Sequence, residues 1–311
     1  MFDIISIGSA VLDVFLRSSK FPLDKTMVGQ KIEPEELFIS SGGGGTNTAV
    51  GFSRLGLQTA CIARFGDDLF GKFLLSDLEK ESFSKKYLIE KKGDNTDYST
   101  ILVNPDGGRI ILVYRGKTRI EETIFPWQAL DETKWFYIAS IEGNVDLLLK
   151  VVEKAKEKGI EIVLNPGSRE LKEKEKLLSI FPKLKALILN KEEADGFGLM
   201  EGPAFAKASA GKPEIVVITN GRQGAKLFSE EKNLFAEAFS GPVIDETGAG
   251  DAFSAGFVSG IIKGFSLEKS LKLGMANGRS VVTKLGAKPG LLYEKEIEDW
   301  LGRPLKIEQI S

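Results

Sequence analysis

From Trp135 onward the chain alternates between two kinds of segment, and this alternation restricts the fold more than any other feature. Apolar runs at 135–139, 160–164, 186–189 and 215–218 are each the length of a strand. Helical stretches such as 145–158 lie between them. Strands that are apolar on both faces and separated by helices predict βαβ units, hence a mostly parallel sheet covered on both sides. Ile4 to Ile7, an apolar run closed by Gly8, reads as a first buried strand of the same kind. Two regions break the alternation. Residues 20–40 are mixed and turn-rich, with Phe21-Pro22 and Ile32-Glu33-Pro34. Tyr98 to Asn104 and Arg109 to Tyr114, joined through Pro105-Asp106-Gly107-Gly108, read as a hairpin. The expected organisation is one α/β domain over 1–311, with a small β-rich lid inserted at about 12–40 and 97–116. An exposed edge on that lid is a surface for a second copy of the chain.

Ligands in open α/β sheets bind beyond the carboxyl ends of the strands. Asp13 follows the first strand; it is either a solvated loop carboxylate or an acceptor for a ligand hydroxyl. The later runs are followed by Asn165, Asn190 and Asn220. Asn favours turns in general, yet three in register, with Asp13, Glu142 and residues 245–251, outline a site. The run 170–176 is expected to be a solvated helix face, and 203–211 a tolerated surface segment.

The 311 residues carry a formal charge of −2, which offers no electrostatic case for nucleic acid or an anionic membrane. No apolar run reaches the roughly 18 residues of a membrane span. The N-terminus reads directly as a strand without a basic leader, and Cys61 is the only cysteine, so a cytoplasmic protein is expected. His is absent. Proton transfer must therefore fall to Asp, Glu, Lys or Tyr, and an essential ion must be oxygen-ligated.

The most chemically specific stretch is Val243-Ile244-Asp245-Glu246-Thr247-Gly248-Ala249-Gly250-Asp251-Ala252-Phe253. A small-residue turn leads into a helix with Phe253, Phe257 and Ile261 on one face. Ser254, Ala255, Gly256, Ser259 and Gly260 keep the rest thin, so another backbone can approach. Lys263-Gly264 is its expected stop. Exposed N–H groups at such a helix start attract anions, and Asp251 stands in the first turn. An Asp there also stabilises the helix dipole without any catalytic role. Earlier, Ser41-Gly42-Gly43-Gly44-Gly45-Thr46-Asn47-Thr48 precedes a helix running to about Leu55-Gly56. It is either a plain turn or a phosphate loop. It does not follow the first strand, so it is not the dinucleotide fingerprint, and no GxxxxGK[ST] occurs.

The Asp-x-Thr-Gly-Ala-Gly-Asp stretch resembles the C-terminal signature of the ribokinase-type (PfkB) carbohydrate kinases. Gly42, Gly43, Gly45 and Asn47, with Arg54, Leu55 and Gly56, resemble the N-terminal signature, and Gly66, Asp68 and Gly71 match a shorter motif after it. The likeness extends over nearly the whole chain. It implies a ribokinase-like fold: α/β, a Rossmann-like, mostly parallel sheet with helices on both faces, plus a small β-sheet lid. It implies that Gly248, Ala249 and Gly250 form an anion hole for the transferring phosphate, with Asp251 as general base. Asp13, Gly42, Gly43, Gly45, Asn47 and Glu142 are then acceptor-binding. Asn190, Thr219, Gly221, Gly224 and Gly278 border ATP. Glu193 acts indirectly on Mg²⁺, and Asp245 and Thr247 are placed beside a monovalent cation such as K⁺. Glu246 stands where the family often has Thr. Val11 stands where ribose-selective members carry Asn. The expected activity is transfer of phosphate from ATP to a primary hydroxyl of a sugar or nucleoside. A non-catalytic sugar or nucleotide sensor and an NAD-dependent enzyme are the other classes; Asp251 speaks against the first, the missing fingerprint against the second.

Overall fold

A computed structural model of the chain describes residues 1–21, 29–106, 108–117, 119–199 and 211–310. Pro22, Gly107 and residues 203–210, named above, lie outside the described residues. The first apolar run forms β1 (Ile4–Ile7), every residue of it buried. Its neighbours are β4 (Thr59–Gly66) on one side and β8 (Trp135–Ile138) on the other, both parallel to it. Beyond β4 lies β5 (Leu88–Lys91); beyond β8 come β9 (Glu161–Leu164), β10 (Ala186–Asn190) and β11 (Ile215–Thr219). All are parallel. Three antiparallel strands finish that end: β12 (Ala225–Ser229), β13 (Asn233–Ala236) and β14 (Ile307–Gln309). The chain thus leaves β1 first toward β5, then returns to build outward from β8. The resulting crevice, where the winding reverses, opens at the carboxyl ends of β1 and β8.

Successive strand residues point to opposite faces. Ile5, Ile7, Phe136, Ile138, Leu187 and Leu189 pack with α3 (Val145–Glu157), α4 (Lys174–Ile180) and α5 (Lys191–Phe197). Ile4, Tyr137, Val163, Ile188 and Val217 pack with α1 (Gly44–Arg54), α6 (Ala249–Ile262) and α7 (Leu267–Val281). Both faces are covered, as the apolar runs require. The short α8 (Ile297–Gly302) joins α7 through Leu273, Ala276 and Ile297. No helix among the described residues is long and apolar enough to cross a membrane.

The thin face of α6 has the predicted consequence. A Cβ on Gly256 would lie 2.6 Å from the Leu273 carbonyl oxygen, and one on Gly260 2.8 Å from Ser270 Cα, so α7 backbone occupies that space. Phe253 and Phe257 stack in parallel at 6.1 Å on the side toward the sheet. Lys263 caps the helix and Gly264 turns left-handed, with φ +74°.

The second sheet has four strands in the order β3 (Glu36–Gly42), β2 (Val11–Arg17), β6 (Asp97–Val103), β7 (Arg109–Tyr114). One face turns Asp13, Phe15, Phe38, Ile101 and Val103 toward the crevice side, where Phe15, Ile101 and Val103 are buried against Leu285. The other face carries Val14, Leu16, Leu37, Ile39, Thr100, Leu102, Ile110, Leu112 and Tyr114 in register. There Phe70 of α2 (Leu69–Leu78) stacks on Tyr98 at 5.1 Å. Asp68 caps α2 by accepting the Gly71 N–H at 2.8 Å, and it also takes the N–H and hydroxyl of Thr96. The Gly-x-Asp-x-x-Gly motif therefore ties α2 to the start of β6.

The backbone contact between α6 and α7 makes a prediction with opposite signs at two glycines. Gly256→Ala pushes on α7 and should destabilise the protein by about 1–3 kcal/mol. Gly196→Ala, in exposed α5 with nothing within 4 Å of the new methyl, should stabilise it by about 0.5–1 kcal/mol. Urea midpoints of the two variants would show this difference of sign.

Candidate active site

The crevice at β1 and β8 is where α1 and α6 both begin. The glycine run is not the loop ahead of a helix that the sequence suggests; α1 starts inside it, at Gly44. Tertiary contact overrides the poor helix propensity of glycine. A Cβ on Gly45 would lie 2.7 Å from the carbonyl carbon of Gly8, so the helix start rests directly on the end of β1. The Gly45 N–H is spent on the Ser9 carbonyl at 3.2 Å, and Ser6 Oγ donates to the Gly45 carbonyl at 2.9 Å. Gly45 therefore packs its backbone against the end of β1.

Asn47, in the first turn of α1, donates from Nδ2 to Asp251 Oδ2 at 2.8 Å. Asn47 Oδ1 is buried with no partner among the described residues, an acceptor left for a hydroxyl. Gly248 precedes α6 with φ +77°, and a Cβ on it would strike Ala287 at 2.6 Å. A Cβ on Gly250 would meet open space, so the helix start faces the cleft. Burial raises the Asp251 carboxyl above its ordinary value, against the Asn47 bond and the charge of Lys288.

Asp13 reaches the same place from β2. A Cβ on Gly42 would lie 1.8 Å from Asp13 Oδ2; only glycine leaves room for this carboxylate. Asp13 is 7 % exposed, which decides between its two readings: it is not a solvated loop residue. Burial pushes it up to about 6, opposed by Lys288 and by a hydrogen bond from Ser99. Gly43, with φ +93°, brings the backbone from β3 into α1 beside Ser9. The structure thus gathers Asp13, Gly42, Gly43, Asn47 and Asp251.

Glu142 stands on the flank of this group. Among the described residues it is the only non-glycine with positive φ, at 61°. Its carboxylate is held by Arg115 and Arg169, each at 3.2 Å, and Arg115 also binds Asp97 at 2.9 Å. What holds the strained loop is Glu170, the one exception to the solvated face expected over 170–176: it is 1 % exposed, while residues 172–176 are exposed. It accepts the N–H groups of Ile141, Gly143 and Gly167 at 3.0, 2.7 and 2.9 Å, together with the Ser140 hydroxyl. A charge-run pattern cannot reveal this, because the donors are backbone groups from two other loops.

A second cleft, of about 430 Å³, adjoins the start of α6. Asn190, Thr219, Gly221, Gly224 and Gly278 all line it, with Ala249 and Gly250 at its inner end. The row of three asparagines is otherwise corrected. Asn165 straps strands together, accepting from Tyr137 Oη at 3.2 Å and donating to the Ile188 carbonyl at 2.9 Å. Asn220 bonds to Gln223 in its own turn. Glu246 bridges Arg222 at 3.2 Å and Arg109 at 3.5 Å, so the β6–β7 hairpin touches the rim of the cleft.

Among the described residues no group of three or more Cys, Asp or Glu converges as a metal cage. Glu193 and Asn190 form a reciprocal capping box at the start of α5. Asp245 is fully buried, its oxygens taking Thr247 N–H, Thr247 Oγ and Gly286 N–H at 2.9, 2.7 and 2.9 Å. A carboxylate has about four lone-pair sites, and these bonds take three of them.

Asp13 supplies a linkage prediction. Its folded value of about 6 lies above the ordinary 3.8. The folded state therefore holds the proton more tightly, and the stability from this group is full below pH 4 and lost as pH rises through about 6. Asp13→Asn should raise stability at pH 7 by about 1–3 kcal/mol, a gain that vanishes near pH 3–4. Melting curves at the two pH values would test it.

Known proteins resemble this chain over most of its length. A family model described as pfkB family carbohydrate kinase matches residues 1–292. Bacillus subtilis ribokinase is 26% identical over 305 residues, covering 97% of this chain and 100% of the relative. The Methanocaldococcus jannaschii nucleoside kinase is 27% identical, with 96% of each chain covered. Among solved structures, Arabidopsis thaliana ribokinase complexed with ribose and ATP superposes with a TM-score of 0.79 at 20% identity, covering 97% of this chain and 99% of the other.

Proposed function

The chain belongs to the pfkB family of carbohydrate kinases, and on that premise we propose that it transfers the γ-phosphoryl group of ATP to a primary hydroxyl of a sugar or nucleoside bound at Asp13 and Asn47. That it is a phosphotransferase acting on a sugar or nucleoside hydroxyl follows from the family and its relatives. The observation that carries the rest is the single bond Asn47 Nδ2–Asp251 Oδ2. It joins the acceptor-side helix to the phosphate-side helix at one carboxylate. Asp13 and Asn47 Oδ1 accept hydrogen bonds from acceptor hydroxyls. Asp251 takes the proton of the reacting hydroxyl as its oxygen bonds to the γ-phosphorus. The bond from phosphorus to the β,γ-bridging oxygen breaks, and ADP leaves. The N–H groups at the start of α6 meet the charge on the transferring group. Positioning and electrostatics suffice for this chemistry. ATP occupies the 430 Å³ cleft. Mg²⁺, if bound on the phosphates near Asn190 and Glu193, would neutralise their charge; a monovalent cation would sit at Asp245 and Thr247. ATP chemistry and a fully buried Cys61 fit a cytoplasmic setting.

Incubation with Mg-ATP and a panel of sugars and nucleosides, scored by ADP release, tests the activity. Asp251→Asn should then lower kcat by about 10²–10⁴-fold with the melting temperature unchanged or higher, since burial opposes the charge it removes. A variant that melts earlier yet turns over like wild type would assign Asp251 to helix stability alone.

The small sheet we assign to self-association as well as to closing over the acceptor. Its outer face exposes Leu37, Ile39, Ile110, Leu112 and Tyr114 in one register, with Leu37 at 64 % and Leu112 at 57 %. A patch of this kind marks a protein interface. A second copy presenting the same apolar face completes it by two-fold symmetry, each covering the other. Sedimentation should show a dimer, and Leu112→Lys a monomer; a monomeric wild type at micromolar concentration would refute the assignment.

A further inference from the structure

Lys288 is a buried charge that the transfer chemistry leaves unused. It is 5 % exposed. Its ammonium donates to the Ser41 carbonyl and, at 3.0 Å, to Ser41 Oγ. Ser41 in turn donates its N–H and hydroxyl to Asp77 Oδ2 at 2.9 and 2.7 Å. The Lys288 carbonyl accepts from Arg54 Nη1 at 2.7 Å, and the Arg54 guanidinium forks onto Glu81. Taking an ammonium out of water costs several kcal/mol, and an apolar side chain of the same shape would be no less stable. A use for the charge is therefore to be sought among the groups it faces.

Those groups are Asp13 on β2, Cys61 on β4, Asp77 on α2, Glu81 after it and Asp251 on α6. Glu81 already has Arg54, and Asp77 has Ser41 and Lys80. Cys61 is a buried thiol pushed up to about 12 and stays neutral. Asp13 and Asp251 remain. Their hydrogen bonds come from neutral donors, Ser99 and Asn47. Arg115 also acts on Asp13, but more weakly than Lys288 does.

We propose that Lys288 is the positioning cation of the acceptor site: through Ser41 it fixes the turn that seats Gly42 against Asp13, and its charge balances the two carboxylates that meet the acceptor hydroxyls. Asp13 accepts a hydroxyl hydrogen bond more strongly when ionised, and Asp251 must be ionised to accept a proton. Burial works against both, and Lys288 opposes it at each. Lys288 is itself lowered to about 8 by burial, with Asp13 foremost among the groups that restrain the fall. At neutral pH the Lys288 ammonium is charged.

The proposal rests on the kinase reading, and its test separates the two. Lys288→Met fills the same space without charge. Lys288→Gln keeps a donor for Ser41 and guards against a Met variant that does not fold. Lys288→Arg keeps the charge. Side-chain carboxyls of the ligand-free proteins, labelled with ¹³C at aspartate and assigned through Asp13→Asn and Asp251→Asn, are titrated by NMR. In the Met or Gln variant Asp13 and Asp251 should titrate about one pH unit or more higher than in wild type, and the Arg variant should follow wild type. With the acceptor found in the panel, the acidic limb of kcat/KM should move up by the same amount while KM for ATP holds. Unmoved titrations in a folded, active Met or Gln variant would overturn the role of Lys288 alone. A wild type that phosphorylates nothing would overturn the kinase reading, and the carboxyl titrations would still decide the role of Lys288.

Discussion

Two helices that start 205 positions apart, at Gly44 and Ala249 (249 − 44 = 205), are brought nose to nose, and one hydrogen bond from Asn47 to Asp251 spans the gap between them. Much else in the molecule serves that meeting. α1 can reach the spot only because Gly8 and Gly45 let a helix start lie on the end of a strand. α6 can reach it only because Gly248 takes a left-handed turn and Gly256 and Gly260 let α7 press in behind. Asn277 stitches the back of this arrangement, donating to the Ala252 carbonyl at 2.7 Å and accepting the Leu292 N–H at 2.9 Å. The parallel sheet fixes where the two helices emerge; the glycines determine how near they come.

That proximity has an energetic cost that the molecule bears in its acidic groups. Asp13, Asp251 and Glu142 are all held above the ordinary carboxylate range, chiefly by burial. Burial disfavours the ionised form of each. Glu142 adds backbone strain of about 1–3 kcal/mol. Such burdens concentrate where ligands bind. The clusters packed on both faces of the sheet are apolar.

Much of the architecture could be read from residue order. Strand-length apolar runs marked β8 to β11 within a residue or two, and Asp-Gly-Gly marked the hairpin between β6 and β7. Long, locally coded elements are legible because side-chain periodicity alone decides them. The place of Asp251 in the first turn of a helix was legible for the same reason: the carboxylate and the helix start are neighbours in sequence. Glu170, Lys288 and the Arg115–Glu142–Arg169 cluster were not. Their partners are backbone groups or charges brought from distant loops, and nothing in a run such as Glu-Leu-Lys-Glu distinguishes a buried carboxylate from a wet one. The asparagines after the strands misled in the opposite direction. Regular spacing suggested a shared purpose, whereas two of the three serve strand strapping and turn closure.

The separation of 204 positions between Asn47 and Asp251 also bears on how the chain comes into being. Contacts of such high sequence separation form late, since the loop between them must first be closed. During synthesis the acceptor-side residues emerge early and can fold onto β1, β4 and β8, while α6 and the segment carrying Lys288 are still to be made. A nascent or truncated chain can therefore present Asp13 and Asn47 without Asp251 or the start of α6 opposite them. Only synthesis past α6 lets the two helix starts meet.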